Sequence, residues 1–191
     1  YCFAICLISF IDNFGLAMMS TRTGAQTLAR PVISGLIVLN ILYAIGVAAL
    51  LISSFLHPGW PWVPMGFDLA KGHPALPVAL RTITVIGLFG AALVHLVLTN
   101  LRSVVDTVRQ GDPFIAENAR RLRAIAWYVM AGEALRLIVV AIAAALSTDA
   151  QPVDMGDGFS FAPWLAVLLL FVLAGVFTEG SRMRADLDGT V

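Results

Sequence analysis

Glu133 and Arg136 stand three residues apart in the middle of a long apolar run. A charge at the centre of a bilayer costs at least ~3 kcal/mol unless it finds a partner, so such residues are the first candidates for function. At this spacing they share a helix face and can form an ion pair. His95 lies about six residues from one end of a second apolar run. Asn40 lies about nine residues into a third, with Tyr43 a turn beyond. At a rise of ~1.5 Å per residue, Asn40, His95 and Glu133 fall within one to two turns of a common depth. A mid-membrane cluster of Asn40, His95, Glu133 and Arg136 is therefore geometrically allowed. A Glu–His pair there could relay protons or sense pH, because histidine titrates in the accessible range. The same groups could instead satisfy one another and fix helix register with no turnover. The structural reading is the simpler of the two.

Other chemistry finds little support. One histidine beside one glutamate is short of the three or four ligands of a zinc site. Cys2 and Cys6, the only cysteines, are too close in sequence to staple distant segments and too few for a strong metal site. Asp149, Asp154 and Asp157 lack the ligand spacing of a calcium-binding loop. The chain has no nucleophile-plus-base set, phosphate-cradling glycine loop or His-Glu-x-x-His motif. The expectation is a protein that is not an enzyme and carries no cofactor or metal.

The elements that position these residues are set by the solvent. Of the 191 residues 59% are hydrophobic and 13% charged, against a usual charged share of about 25%. Four runs, 31–56, 76–101, 124–147 and 161–178, are each long enough to cross a hydrocarbon core of roughly 30 Å. They predict an all-α integral membrane four-helix bundle occupying residues 29–191, with no room for a separate soluble domain. Residues 1–28 form a leading segment. Tyr1–Phe10 is apolar but broken by Asp12 and Asn13, without the basic start or cleavage site of a signal peptide. The natural start is expected at Met18 or Met19, with residues 1–17 lying upstream of it. A short interfacial segment is the alternative.

Charge orients the runs. Nine arginines (22, 30, 102, 109, 120, 121, 123, 182 and 184) lie on alternate connections, with Lys71 alone on the other side. The excess predicts that both termini are cytoplasmic. Arg81 sits within a run near its outer end, where it could snorkel. The opposite loop, 57–75, is rich in Pro, Gly and Trp, and Trp60, Trp62 and Phe67 are expected at headgroup level. Trp164, and Trp127 with Tyr128, would anchor other ends in the same way. Gly87 with Ala91, Ala44 with Ala48 and Ala141 with Ala145 are small-residue pairs that let helices approach closely, within the chain or in a homodimer.

The arginine-rich connection is the most structured. Gly111 suits the end of a helix running on to about Gln110. Asp112 as N-cap, followed by Pro113, predicts a new helix starting at Pro113. On it Glu117 can pair with Arg120 and Arg121, and Phe114 and Leu122 could face the membrane or a partner. The fourth run is expected to continue as a helix through Glu179–Leu187, giving helical extensions into the cytoplasm.

The stretch Val105-Asp106-Thr107-Val108-Arg109-Gln110-Gly111-Asp112-Pro113-Phe114, followed by Glu117-Asn118-Ala119-Arg120-Arg121-Leu122-Arg123, resembles the bacterial membrane family known as domain of unknown function 2975. The tail from Val176 to Leu187 is similar to that family's C-terminal pattern, and the resemblance spans roughly Ala29 to Val191. It implies a four-span inner-membrane protein of no established activity. It also implies a neighbouring small helix-turn-helix regulator that the protein would hold or release. The docking surface would then comprise Asp112, Pro113, Phe114, Glu117, Asn118, Arg120, Arg121, Arg123, Glu179, Arg182 and Arg184. The plainer reading is that these arginines only orient the chain and touch anionic lipid. Direct nucleic-acid binding is not expected, since the basic residues are few and lie against the bilayer. A small transporter or proton-coupled carrier using Asn40, His95, Glu133 and Arg136 is the alternative function.

Overall fold

In a computed structural model, the structure describes residues 22–57, 60–67, 73–111, 113–148 and 159–188, those of 22–28 and 187–188 through their backbone alone. The expectations placed on residues 1–17, Cys2, Cys6, Asp112 and the aspartates 149, 154 and 157 lie outside these. The described residues form four helices: α1 (Arg22–Leu56), α2 (Leu76–Arg109), α3 (Ala116–Leu146) and α4 (Phe161–Asp188). Each contains a segment long and apolar enough to cross a membrane. α1 begins before the apolar run and carries Pro31 inside it. α4 runs on past its apolar part to Asp188, so the expected extension is present.

Helix ends follow local chemistry. α2 starts behind Ala75, whose N–H donates to the His73 ring at 3.2 Å, and Pro77 occupies the first turn, where a missing N–H leaves nothing unpaired. It ends at Arg109, and Gly111 turns the chain with φ +89°. That left-handed conformation is one a side chain would resist. α3 does not begin at Pro113. It begins at Ala116, behind Ile115, whose backbone is extended and which makes no side-chain cap. The reason lies at Asn118, whose backbone N–H donates to the Ile115 carbonyl at 3.0 Å and whose amide donates to the Pro113 carbonyl at 2.9 Å. These bonds hold Pro113 to Ile115 out of the helix and carry Phe114 towards α4.

Among the described residues the helices form an open row rather than a closed bundle. α1 packs on α2, α2 on α3 and α3 on α4, while α1 and α4 do not approach each other. A closed bundle would give every helix two neighbours. The row leaves broad apolar faces uncovered on both outer helices, among them Leu42, Ile45, Leu168 and Val172, as lipid-facing surface should be.

Polar contacts tie neighbouring helices together. Asn40 of α1 donates to the Ala91 carbonyl of α2 at 3.0 Å. Gly87, a turn away, leaves its nearest neighbour, the Val47 side chain, at 4.0 Å from where a Cβ would stand. Ala141 and Ala145, by contrast, are exposed. Arg81 does not snorkel. Its guanidinium donates to the Ser54 carbonyl at 2.6 Å and lies 4.6 Å over the Phe55 ring. It thereby caps the carbonyl-rich end of α1, where a cation is favoured. At the opposite end Arg30 pairs with Asp106 at 3.4 Å.

The loop between α1 and α2 departs from expectation in one residue. Trp60 is exposed, but Trp62 is 7% exposed and forms a core with Leu76, Leu80 and Ala143, flanked by Phe67. It closes the end of the α2–α3 interface instead of anchoring in headgroups. Its ring N–H has no partner, so it contributes by packing alone. Trp62→Phe should therefore stay within about 1 kcal/mol of the unaltered protein, and Trp62→Ala should cost about 3–5 kcal/mol. Thermal unfolding in a mild detergent checks both; a large loss for the Phe variant would show that the N–H is used.

Candidate functional site

Two groups of polar residues stand out, one at mid-depth and one at the arginine-rich end. At mid-depth, Glu133 is 6% exposed and meets Arg136 through two bonds, Nε to Oε2 at 2.9 Å and Nη2 to Oε1 at 2.6 Å. Both residues lie on α3, one turn apart, so the pair is built within a single helix. The bidentate geometry satisfies the carboxylate well. Asn40 lies level with this pair. It is bonded to Ala91, and the alignment of α2 with α3 (Thr107 beside Asn118, Leu80 in one core with Ala143) brings Ala91 to the depth of Glu133.

The four residues thus share a zone of depth without forming one network. Asn40 reaches the backbone of α2, and its Oδ1 is buried without a partner. The described hydrogen bonds of His95 involve its carbonyl, which accepts from Thr99 at 3.0 Å, and none links its ring to Glu133 or Asn40. A proton path through His95 and Glu133 is not built by these contacts. The ion pair itself predicts a sharp asymmetry. Glu133→Ala, which takes the carboxylate away from Arg136, should cost about 3–5 kcal/mol, whereas Glu133→Leu with Arg136→Leu should restore most of it. Thermal unfolding of the single and double variants reads this directly, and equal losses in both would show that the pair does not act as a unit.

At the arginine-rich end, Asn118 is fully buried. Its amide bonds Thr107 of α2 at 2.7 Å and the Pro113 carbonyl, while its oxygen accepts from Arg121 at 3.1 Å. The side chain therefore closes the α2–α3 connection and is not available on a docking surface. Leu122, expected to face membrane or partner, is buried as well. Glu117 holds both Arg120 and Arg121, the latter at 3.7 Å. Arg123 and Arg182 are exposed, as is Glu179.

Phe114 is the residue whose role the sequence alone understated. Its ring lies 5.3 Å from that of Phe177 on α4. It also covers Gly180, where an added Cβ would meet the ring at 2.8 Å. The contact locks the extended Pro113–Ile115 segment onto the extension of α4, and glycine is what lets the ring come so close. The ring remains 43% exposed and offers an apolar anchor at this end. Gly180→Ala should cost about 1–3 kcal/mol by overpacking. The cost should vanish in a Phe114→Ala background, and a cost that persists there would place the strain elsewhere.

A family model described as "Protein of unknown function (DUF2975)" matches residues 57–191. The chain belongs to the DUF2975 family. The match covers α2, α3, α4 and the connections of both polar groups, and begins at His57, so α1 and Asn40 precede it, although the resemblance was expected from Ala29. No curated protein and no solved structure matches the chain.

Proposed function

We propose that this DUF2975 protein is a non-enzymatic regulatory protein of the bacterial inner membrane, with both termini in the cytoplasm. In this reading it works by binding a small soluble regulator at its arginine-rich end. The observation that carries the reading is the joining of Phe114, Phe177 and Gly180, which fixes the extension of α4 against the α2–α3 connection. Aromatic and arginine side chains are the residues that most often dominate binding surfaces. Here Phe114 is 43% exposed, and Arg120 and Arg182 are exposed on the two helices that it helps to join. That the regulator is of the helix-turn-helix type rests on the sequence resemblance alone.

A carrier is the second reading, favoured by one observation: the unpartnered Oδ1 of Asn40 at mid-depth. Against it, the Glu133 carboxylate is already held twice by Arg136. Photo-crosslinking at native expression, from probes within 110–123 and 179–188, separates the two. A small DNA-binding protein captured at these positions is expected, with capture lost in an Arg120→Ala, Arg121→Ala variant of unchanged abundance and kept in Glu133→Gln. Recovery of the protein with only itself and lipid would overturn the regulatory reading.

A further inference from the structure

Between Arg120 and Ala141 the exposed positions of α3 fall at 120, 123, 127, 131, 134, 138 and 141. Their steps of three or four residues place them on one stripe along the helix. α3 is flanked by α2 and α4, so this stripe is the part of the middle of the row left open to the bilayer. Its deep part is Ala131, Ala134, Ile138 and Ala141. Its shallow part is Arg120, Arg123 and Trp127.

We infer that this face seats an anionic phospholipid, with Arg123 holding the phosphate and Trp127 lying at the ester level one turn deeper. The inference rests on the membrane placement of the four helices and not on the partner proposed above. Three observations carry it. First, Arg120 is engaged by Glu117, whereas Arg123 makes no described ion pair. Second, Trp127 is 54% exposed and fixed edge-on against Phe171 of α4 at 5.7 Å. An indole held at the boundary between headgroups and hydrocarbon is where such rings are favoured. Third, the neighbours of Arg123 suit an anion better than those of Arg30, Arg109 and Arg182. Arg30 is paired with Asp106, Arg109 has the same Asp106 three residues before it, and Arg182 has Glu179 at that spacing. Arg123 has Arg120 on one side and Ala126 and Trp127 on the other. A guanidinium binds phosphate by its fork of donors, and the apolar stripe below offers an acyl chain a path free of bulky side chains apart from Ile138.

The test is native mass spectrometry of the full chain released from detergent carrying phosphatidylglycerol and phosphatidylcholine in equal amounts. Phosphatidylglycerol adducts should be retained preferentially, and Arg123→Gln should lower that retention about fivefold, the worth of one basic residue at an anionic membrane surface. Arg123→Lys should fall between the two, and Arg109→Gln should leave retention unchanged. Equal retention of both lipids by the unaltered chain would overturn the inference, and this comparison stands even if a variant fails to fold. Equal losses in Arg123→Gln and Arg109→Gln would overturn it too, by showing a diffuse charge effect. Retention of inorganic phosphate in place of lipid would overturn the choice of ligand.

Discussion

A polar group placed in hydrocarbon has no water to fall back on, and this constraint shapes every tie between the helices. With no hydrophobic force to press helices together inside a bilayer, packing and polar contacts must do so. The tie at mid-depth and the tie at the Trp62 end use one device: a donor side chain reaches a main-chain carbonyl of the next helix. Asn40 reaches Ala91, and Arg81 reaches Ser54. At the arginine-rich end Asn118 binds the Pro113 carbonyl of its own connection and reaches across to the Thr107 hydroxyl of α2. A carbonyl is always present and has a spare lone pair, so the device needs only one suitable residue. It fixes both register and depth, while Glu133 meets its counter-ion Arg136 on its own helix.

Much of the fold was legible in the chain. The four helices could be read because crossing a bilayer imposes a length and an apolar composition that soluble proteins do not need. The helical extension of α4 and the pairing of Glu117 with Arg120 and Arg121 are local matters, and local spacing announced them. What sequence hid was tertiary. Trp62 looks like a headgroup anchor beside Trp60 and Pro61, and only the position of Ala143, far along the chain, makes it core. Asp112-Pro113 has the form of a helix start, but Asn118 binds the Pro113 carbonyl and the helix begins only at Ala116. Gly180 carries no mark of its importance until Phe114 lies on it.

The candidate sites divide in the same way. The Glu133–Arg136 contact follows from spacing within one helix. The place of Asn40 follows from the pairing of α1 with α2, which depth counting could only bracket. Asn118 illustrates the opposite error: a polar residue among arginines reads as surface, yet its amide is consumed in closing a turn. Buried polar residues and exposed ones cannot be told apart by type, because both need hydrogen bonds and differ only in who supplies them.

The row of helices has a consequence for assembly. Among the described residues each helix touches only those that precede or follow it in the chain. Contacts of this kind are made without a late closing step between the first helix and the last. During synthesis α2 can settle on α1, α3 on α2 and α4 on α3, each against a surface already in place, and little loop entropy is lost at any stage. An intermediate with α4 still to arrive would lack the α3–α4 contacts and those of Phe114 with α4, and would already hold Asn40, Arg81 and Asn118 in their final bonds. The order of the chain is thus also the order in which its polar groups come to rest.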